Sequence, residues 1–336
     1  MKSKFLISIL SLGLLFSNSL NVFASEGSNN TDVVDEMWGM PTFVYGSALS
    51  ANQVEETKSL LNISGETTDL KVTGEDMVRF LGSGNPKANM YSSALISGND
   101  NKGGILVEIV TPENITKVSM NQYANALITA GVSDVTVKVA SPVKVTGESA
   151  LTGVYLAYEN EGNELDTKSM FVAQEELSTV IDIVENSQGV EGFNEEALNL
   201  ALIDIKQKIS EAREANPELT KEATELIVQE ALESNNLDTI INTEDVKALY
   251  GLAEQYMNLD NLMSEEMQEQ LTVLAKDVGA KASDFAKELG GKAMDTLQDA
   301  GFWESIKNFF SGIIDFIAGI FGAGKDDTES ENLVTE

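Results

Sequence analysis

The chain has 336 residues, 42% of them hydrophobic, with 22 basic side chains, 54 acidic side chains and no histidine or cysteine. Without those two residue types it cannot form a cysteine nucleophile, a serine–histidine–aspartate triad or a histidine-ligated zinc site, which excludes three large enzyme classes. The net charge of −32 repels phosphates and argues against nucleic acid as a partner, while weak binding of divalent cations remains a secondary expectation.

The first 24 residues have the layout of a secretory signal peptide. Lys2 and Lys4 precede an apolar run over 5–16, and a small-residue site ends at Ala24. The run is shorter than the ~20 residues that span a bilayer as a helix, so we expect cleavage after Ala24, with an uncleaved anchor as the alternative. Export would place the protein outside the cell or at its surface. Residues 25–40 are polar and acidic, which predicts a disordered leader.

Helix and strand signals alternate over residues 41–165. Two capping boxes of the Ser-x-x-Gln type predict helices that begin at Ser50 and Ser119. Strand patterns lie on either side of the second helix, at 104–110 and 134–141. We therefore predict an N-terminal α/β domain with a small mixed or parallel sheet that contains a βαβ crossover.

Residues 166–300 carry helical patterns alone. Apolar stripes at helical spacing predict five helices, of which the third opens at Asn216 and Pro217, the fourth at Thr243 and the fifth at Ser264. Nothing chemically reactive interrupts these stripes, so we interpret them as packed core. An all-helical C-terminal domain after an α/β domain makes the predicted fold class α+β.

A different kind of helix is predicted over residues 301–324, followed by an acidic disordered tail over 325–336. This helix is amphipathic, and its apolar face is rich in aromatic residues. Three uses remain open for it: packing on the protein's own helices, an interface with a partner or a second copy, and shallow insertion into a membrane. Its candidate interaction residues are Trp303, Phe309, Phe310, Phe316 and Phe321.

A second candidate site is a predicted helix start at Thr146, Gly147 and Ser149. In the structural interpretation, Thr146 caps the helix and the small residues let it approach a neighbouring strand. In the functional interpretation, the free backbone N–H groups of the helix start bind an anion, helped by the hydroxyls of Thr146 and Ser149. Glu148 in the first turn would repel an anion, which favours the structural interpretation.

Two segments carry a family resemblance: Tyr-Ala-Asn-Ala-Leu-Ile-Thr-Ala-Gly-Val at 123–132 and Val-Thr-Gly-Glu-Ser-Ala-Leu-Thr-Gly at 145–153. The chain resembles the domain of unknown function 1002 family, secreted proteins of Gram-positive bacteria, over roughly residues 40–290. Glu148 departs from the family motif, which usually has a small residue or threonine there. Because the family has no established activity, the resemblance implies export and no catalytic residue.

These features predict a secreted, non-catalytic binding or interaction module at the bacterial cell surface. We expect no cofactor and an unknown protein, glycan or membrane surface as partner, and self-association through the last helix is a further expectation. One alternative is a secreted carboxylate-dependent glycoside hydrolase, for which a cleft with two facing carboxylates and exposed aromatic rings would be the sign. The other is a membrane-associating protein that acts through the 301–324 helix.

Overall fold

A computed structural model describes residues 39–99 and 104–288, with side chains up to residue 280. The fold is α+β, as predicted. The strands of the described residues are β1 (Thr42–Gly46), β2 (Thr68–Val72), β3 (Ser93–Gly98), β4 (Leu106–Ile109) and β5 (Val135–Ala140). The helices are α1 (Ala51–Leu60), α2 (Gly74–Leu81), α3 (Met120–Ala130), α4 (Ser149–Asn160), α5 (Thr167–Asn186), α6 (Glu195–Ala215), α7 (Lys221–Ser234), α8 (Thr243–Tyr256) and α9 (Glu265–Glu288).

The five strands form one mixed sheet in the order β2-β1-β3-β5-β4. β3 runs antiparallel to both of its neighbours, whereas β1 pairs parallel with β2, and β4 pairs parallel with β5. Each parallel pair is joined by a crossover helix, α1 in the first and α3 in the second. The predicted βαβ crossover around the second helix is therefore present, and β1, β2, β4 and β5 all end at the same edge of the sheet.

Local sequence accounts for the second crossover. Ser119 accepts a hydrogen bond on its side chain from the Gln122 backbone, and the Gln122 side chain accepts one from the Ser119 backbone, so the predicted capping box starts α3. Gly131, with φ of 89°, ends the helix in the left-handed region. In β5, Val135, Val137 and Val139 are buried and alternate with less buried residues, as the strand pattern predicts.

Hydrophobic packing continues from the sheet into the helices. One face of the sheet, with Val44 and Val137, packs against α3 and α4, and α5 packs on α3 in the same core. The opposite face packs part of its area against α1 through Phe43 and Leu61. A second core joins helices α5 to α9. α3 belongs to both cores, because Leu127 faces the first and Ile128 the second. The described residues accordingly lie in one compact unit, and the predicted boundary between 165 and 166 stays a prediction.

The predicted start of α7 is wrong. α7 begins at Lys221, where the Thr220 side chain accepts a hydrogen bond from Ala223, and not at Asn216 and Pro217. The Asn216 side chain instead accepts a hydrogen bond from the Glu218 backbone and forms a turn after α6. The predicted signal peptide (1–24), most of the leader (25–40), the amphipathic helix (301–324) and the acidic tail (325–336) lie outside the described residues.

Candidate functional site

A cleft with a volume of about 490 Å³ opens where β1 and β5 end and β3 begins. The strand register places these ends side by side, since Val44 near the end of β1 pairs with Ala94, and Ala140 at the end of β5 pairs with Ser93. In sheets with parallel strands, ligands bind preferentially beyond the carboxyl ends of the strands. The cleft is lined by Met77, Leu81, Ser83, Gly84, Asn89, Met90, Tyr91, Ser92, Lys144, Val145, Thr146, Glu148, Ser149, Thr152 and Gln174.

The segment before β3 forms one wall of the cleft and is held against the end of β1. Ala48 donates a backbone hydrogen bond to the Met90 carbonyl at 2.9 Å. Any Cβ at position 46 would lie 2.2 Å from that same carbonyl oxygen, so only glycine allows this approach. The wall that carries Met90, Tyr91 and Ser92 is thus fixed by backbone packing.

The first turn of α4 forms the neighbouring part of the lining and contacts the segment before β3 directly. The Ser92 backbone N–H donates a hydrogen bond to the Ser149 Oγ at 3.2 Å. Ser149 and Thr146 both line the cleft, where Ser149 is half-buried and Thr146 is exposed. Two of the three predicted helix-start residues therefore lie in a cleft.

The third of them, Gly147, has a structural role. Its φ is +116°, and a Cβ there would lie 2.7 Å from the Tyr123 Oη and 2.8 Å from Ile115 Cγ2. The Tyr123 hydroxyl donates a 2.6 Å hydrogen bond to the Gly147 carbonyl, and burial raises the pKa of Tyr123 far above its ordinary value, so this donor keeps its proton. Gly147 is buried and is absent from the lining of the cleft.

Thr146 does not cap α4, which corrects the structural interpretation of this residue. The helix begins at Ser149, the residue before it is Glu148, and no side chain caps the helix start by a hydrogen bond. The turn is closed instead by backbone bonds from Ala150 to Gly147 and from Leu151 to Glu148. The Thr146 side chain is consequently not committed to holding the helix.

Ser92 is one of the cleft residues that sequence reasoning missed. Its exposed fraction is 1%, and its Oγ has no hydrogen-bond partner among the described residues. Buried hydroxyls are normally hydrogen-bonded, and leaving one unpaired costs about 1–3 kcal/mol. Nothing in the local sequence marks Ser92, because its position beside Ser149 depends on the pairing of β3 with β5.

The charge of the cleft is nearly balanced. Lys144 and Glu148 are its charged lining residues, one of each sign. Seven others are uncharged and polar: Ser83, Asn89, Ser92, Thr146, Ser149, Thr152 and Gln174. The apolar part of the lining consists of Met77, Leu81, Met90, Tyr91 and Val145. The cleft therefore combines apolar contact with hydrogen-bonding groups that both donate and accept.

A separate group of polar residues is enclosed between α3, α5, α6 and α8. Lys206 Nζ lies 2.8 Å from Glu176 Oε1, and the two side chains are 0% and 1% exposed. The hydroxyls of Thr129 and Tyr256 donate to Glu176 Oε2 at 2.5 and 2.7 Å, and Lys206 also donates to Asn125 Oδ1 at 3.0 Å. Burial lowers the pKa of Lys206, and the neighbouring Glu176 opposes that shift. Because these charges are paired and enclosed, we interpret the group as part of the core.

The remaining features concern the aromatic candidates, membrane-spanning helices and metal sites. The aromatic candidates Trp303, Phe309, Phe310, Phe316 and Phe321 lie outside the described residues. Within the described part of the chain, no helix has the length and apolar character needed to cross a membrane. The same residues contain no group of three or more acidic side chains placed to hold a metal ion.

A model of a family of proteins of unknown function, DUF1002, matches residues 45–274. The chain belongs to this family. The uncharacterized protein YpuA of Bacillus subtilis (strain 168) is 28% identical over 281 residues, which cover 83% of this chain and 86% of YpuA. No solved structure matches. Every residue that lines the cleft falls within the DUF1002 match, so the cleft belongs to the part of the chain that defines the family.

Proposed function

We propose that this DUF1002 protein is a non-catalytic binding module that takes a polar ligand in the cleft between the start of β3 and the first turn of α4. The unpaired hydroxyl of Ser92 is the observation that carries the proposal. The described residues leave this buried hydroxyl unsatisfied, so it gains a partner if the Ser92 side chain turns toward a ligand that fills the cleft. Ser149 and Thr146 also line the cleft and add two further hydroxyls.

Binding is favoured over hydrolysis by the carboxylates of the cleft. Glu148 is the single acidic residue that lines it among the described residues. Glycoside hydrolysis by carboxylates needs two carboxylates, one on each side of the scissile bond. The lining of the cleft offers no second carboxylate to face Glu148. The proposal therefore assigns the cleft to recognition.

The place of action is part of the proposal. The signal-peptide layout of residues 1–24 supports export, and the family resemblance supports the surface of a bacterium. A net charge of −32 supports solubility outside the cell and disfavours adhesion to anionic polymers. We accordingly place the binding module at the cell surface.

Blocking the cleft tests the proposal. A small-molecule library is screened by ligand-observed NMR against the full chain and against Thr146→Trp, which places a large side chain on the rim at an exposed position. Thr239→Trp is the matched control, because Thr239 is also exposed and lies outside the cleft. We expect ligands whose signals change with the wild type and Thr239→Trp but not with Thr146→Trp. Ligands that bind all three proteins equally would show that the cleft is not the site.

A further inference from the structure

From the lining of the cleft we infer that its ligand is an uncharged, polyhydroxylated chain, a neutral glycan of about two or three sugar units. The inference rests on the proposed function and names the chemical class that the cleft takes. Three properties of the lining carry it: the kind of hydrogen-bonding groups, the balance of charge, and the place of the cleft in the sheet.

The hydrogen-bonding groups fit hydroxyls better than they fit ionised groups. The seven uncharged polar residues of the lining carry hydroxyls or amides, which as side-chain types can both donate and accept. Sugar hydroxyls have the same dual capacity, so each can pair with a serine, threonine, asparagine or glutamine in either sense. The buried Ser92 hydroxyl requires such a partner, because its donor and its acceptor capacities are both unused by the described residues.

The charge balance disfavours an anionic ligand. A phosphate or carboxylate group only accepts hydrogen bonds and needs cationic or backbone donors around it. Lys144 is the single cation in the lining and lies on the exposed rim, while Glu148 sits beside the helix start that an anion would approach. The anionic polymers of a bacterial surface are therefore poor candidates.

The apolar part of the cleft suits the C–H faces of sugar rings. Tyr91 is half-buried, and it lines the cleft together with Met77, Leu81 and Met90. A tyrosine ring presents a broad apolar face beside a polar tip, which matches a ligand that is apolar on its face and polar on its edge. The volume of about 490 Å³ falls in the range of small-molecule sites, about 300–1,000 Å³.

The sheet topology disfavours an extended peptide. Peptides commonly dock by adding a strand to a free sheet edge. β3, the strand that begins at the cleft, is paired on one side with β1 and on the other with β5. The free edges among the described strands belong to β2 and β4, so no unpaired strand at the cleft offers backbone groups to a peptide.

Titration with neutral trisaccharides tests the inference. The full chain is followed by amide NMR while an N-acetylglucosamine trimer, a β-linked glucose trimer and an α-linked glucose trimer are added, with inorganic phosphate and trialanine as comparison probes. We expect at least one neutral trimer to saturate with a Kd in the low millimolar range or below, about −4 kcal/mol or stronger, and to shift the amides of Ser92 and Ser149. Phosphate and trialanine should leave these amides unchanged.

Two variants of the tyrosine separate ring contact from hydrogen bonding. Tyr91→Ala should weaken the binding of the trimer by about tenfold or more, whereas Tyr91→Phe, which keeps the ring, should stay within about twofold of the wild type. Equal weakening in both variants would overturn the assigned ring contact. Thermal unfolding of each variant checks that the fold is retained.

The remaining outcomes distinguish the inference from the proposed function. If library ligands bind in the cleft but no neutral trimer binds at about 10 mM, the glycan inference is wrong and the binding function stands. If neither class binds in the cleft, both are wrong. Release of shorter sugars from a bound trimer would support the glycan assignment and overturn the non-catalytic role.

Discussion

Replacing Lys206 by methionine should destabilise the fold far more than the loss of one surface charge would. The variant Lys206→Met removes the partner that lies 2.8 Å from Glu176 and leaves a carboxylate with 1% exposure in the core. Glu176 keeps two hydroxyl donors, Thr129 and Tyr256, but it loses the only cation beside it among the described salt bridges. Breaking a buried pair by removing one partner costs about 3–5 kcal/mol.

The surface pair of Lys117 and Glu185 provides the matched control. Their side chains lie 2.6 Å apart and are 39% and 43% exposed, so Lys117→Met removes the same group from a solvated pair. Exposed pairs contribute about 0–1 kcal/mol. Because 1 kcal/mol shifts Tm by about 2–4 °C in a folded unit of about 150–250 residues, such as the described residues 39–99 and 104–288, we expect a loss of roughly 6–20 °C for Lys206→Met and at most about 4 °C for Lys117→Met.

Differential scanning calorimetry of the two variants measures this difference. Adding Glu176→Gln to Lys206→Met should recover part of the loss, because a neutral amide oxygen can still accept the hydrogen bonds from the two hydroxyls. Equal Tm values for Lys206→Met and Lys117→Met would refute the reasoning, since they would mean that the Lys206 pair is solvated.

Three further predictions concern other parts of the structure. Burial raises the pKa of Asp204 to about 6 and the pKa of Glu211 to about 7. Between about pH 4 and pH 7 the folded chain therefore binds more protons than the unfolded chain. The free energy of unfolding consequently falls as the pH rises through that window. The midpoint of urea unfolding should therefore lie at a higher urea concentration at pH 5 than at pH 8. The double variant Asp204→Asn, Glu211→Gln should reduce this difference between the two midpoints. If the difference is unchanged in the double variant, other titrating groups cause it. Gly147→Ala should cost about 2–3 kcal/mol or more in urea unfolding, because it combines a positive φ with a Cβ 2.7 Å from a tyrosine hydroxyl. Gly162→Ala is the control, because Gly162 has a φ of +90° and no atom lies within 4 Å of the added Cβ. It should lose only about 1 kcal/mol through backbone strain. An equal loss in Gly147→Ala and Gly162→Ala would refute the steric clash at position 147. Ser92→Ala should leave the free energy of unfolding of the ligand-free protein unchanged or raise it slightly, because the hydroxyl that it removes is unpaired; a clear destabilisation would mean that Ser92 already has a partner.

Local sequence predicted the elements whose signals are local. The Ser119 capping box, the valine alternation of β5 and the glycine stop at Gly131 each depend on residues within a few positions of one another, and all three have the expected structure. The predicted start of α7 was wrong because local sequence offered two possible caps. Asn216 and Thr220 are both residues that cap helices, and only the packed arrangement shows that Asn216 makes a turn and Thr220 makes the cap.

A small part of the candidate site was predictable from the sequence. Thr146 and Ser149 stand out as small polar residues at a helix start, and the structure places both in the cleft. Tyr91 and Ser92 carry no such signal, because they reach the cleft through strand pairings between residues far apart in the chain, such as Ser93 with Ala140. Lys206 and Glu176 were hidden for another reason: a charged residue between apolar ones in a helix has the same pattern whether it faces solvent or a buried partner of opposite charge.

The place where a ligand contacts the protein is the most direct test of the cleft as the binding site. Amide NMR of the full chain, titrated with the ligands that Thr146→Trp excludes, should show the largest shifts at Ser92 and Ser149, with smaller shifts elsewhere in the lining between residues 77 and 174. Largest shifts on the helices from α6 to α9, with Ser92 and Ser149 unmoved, would contradict the assignment of the cleft as the binding site.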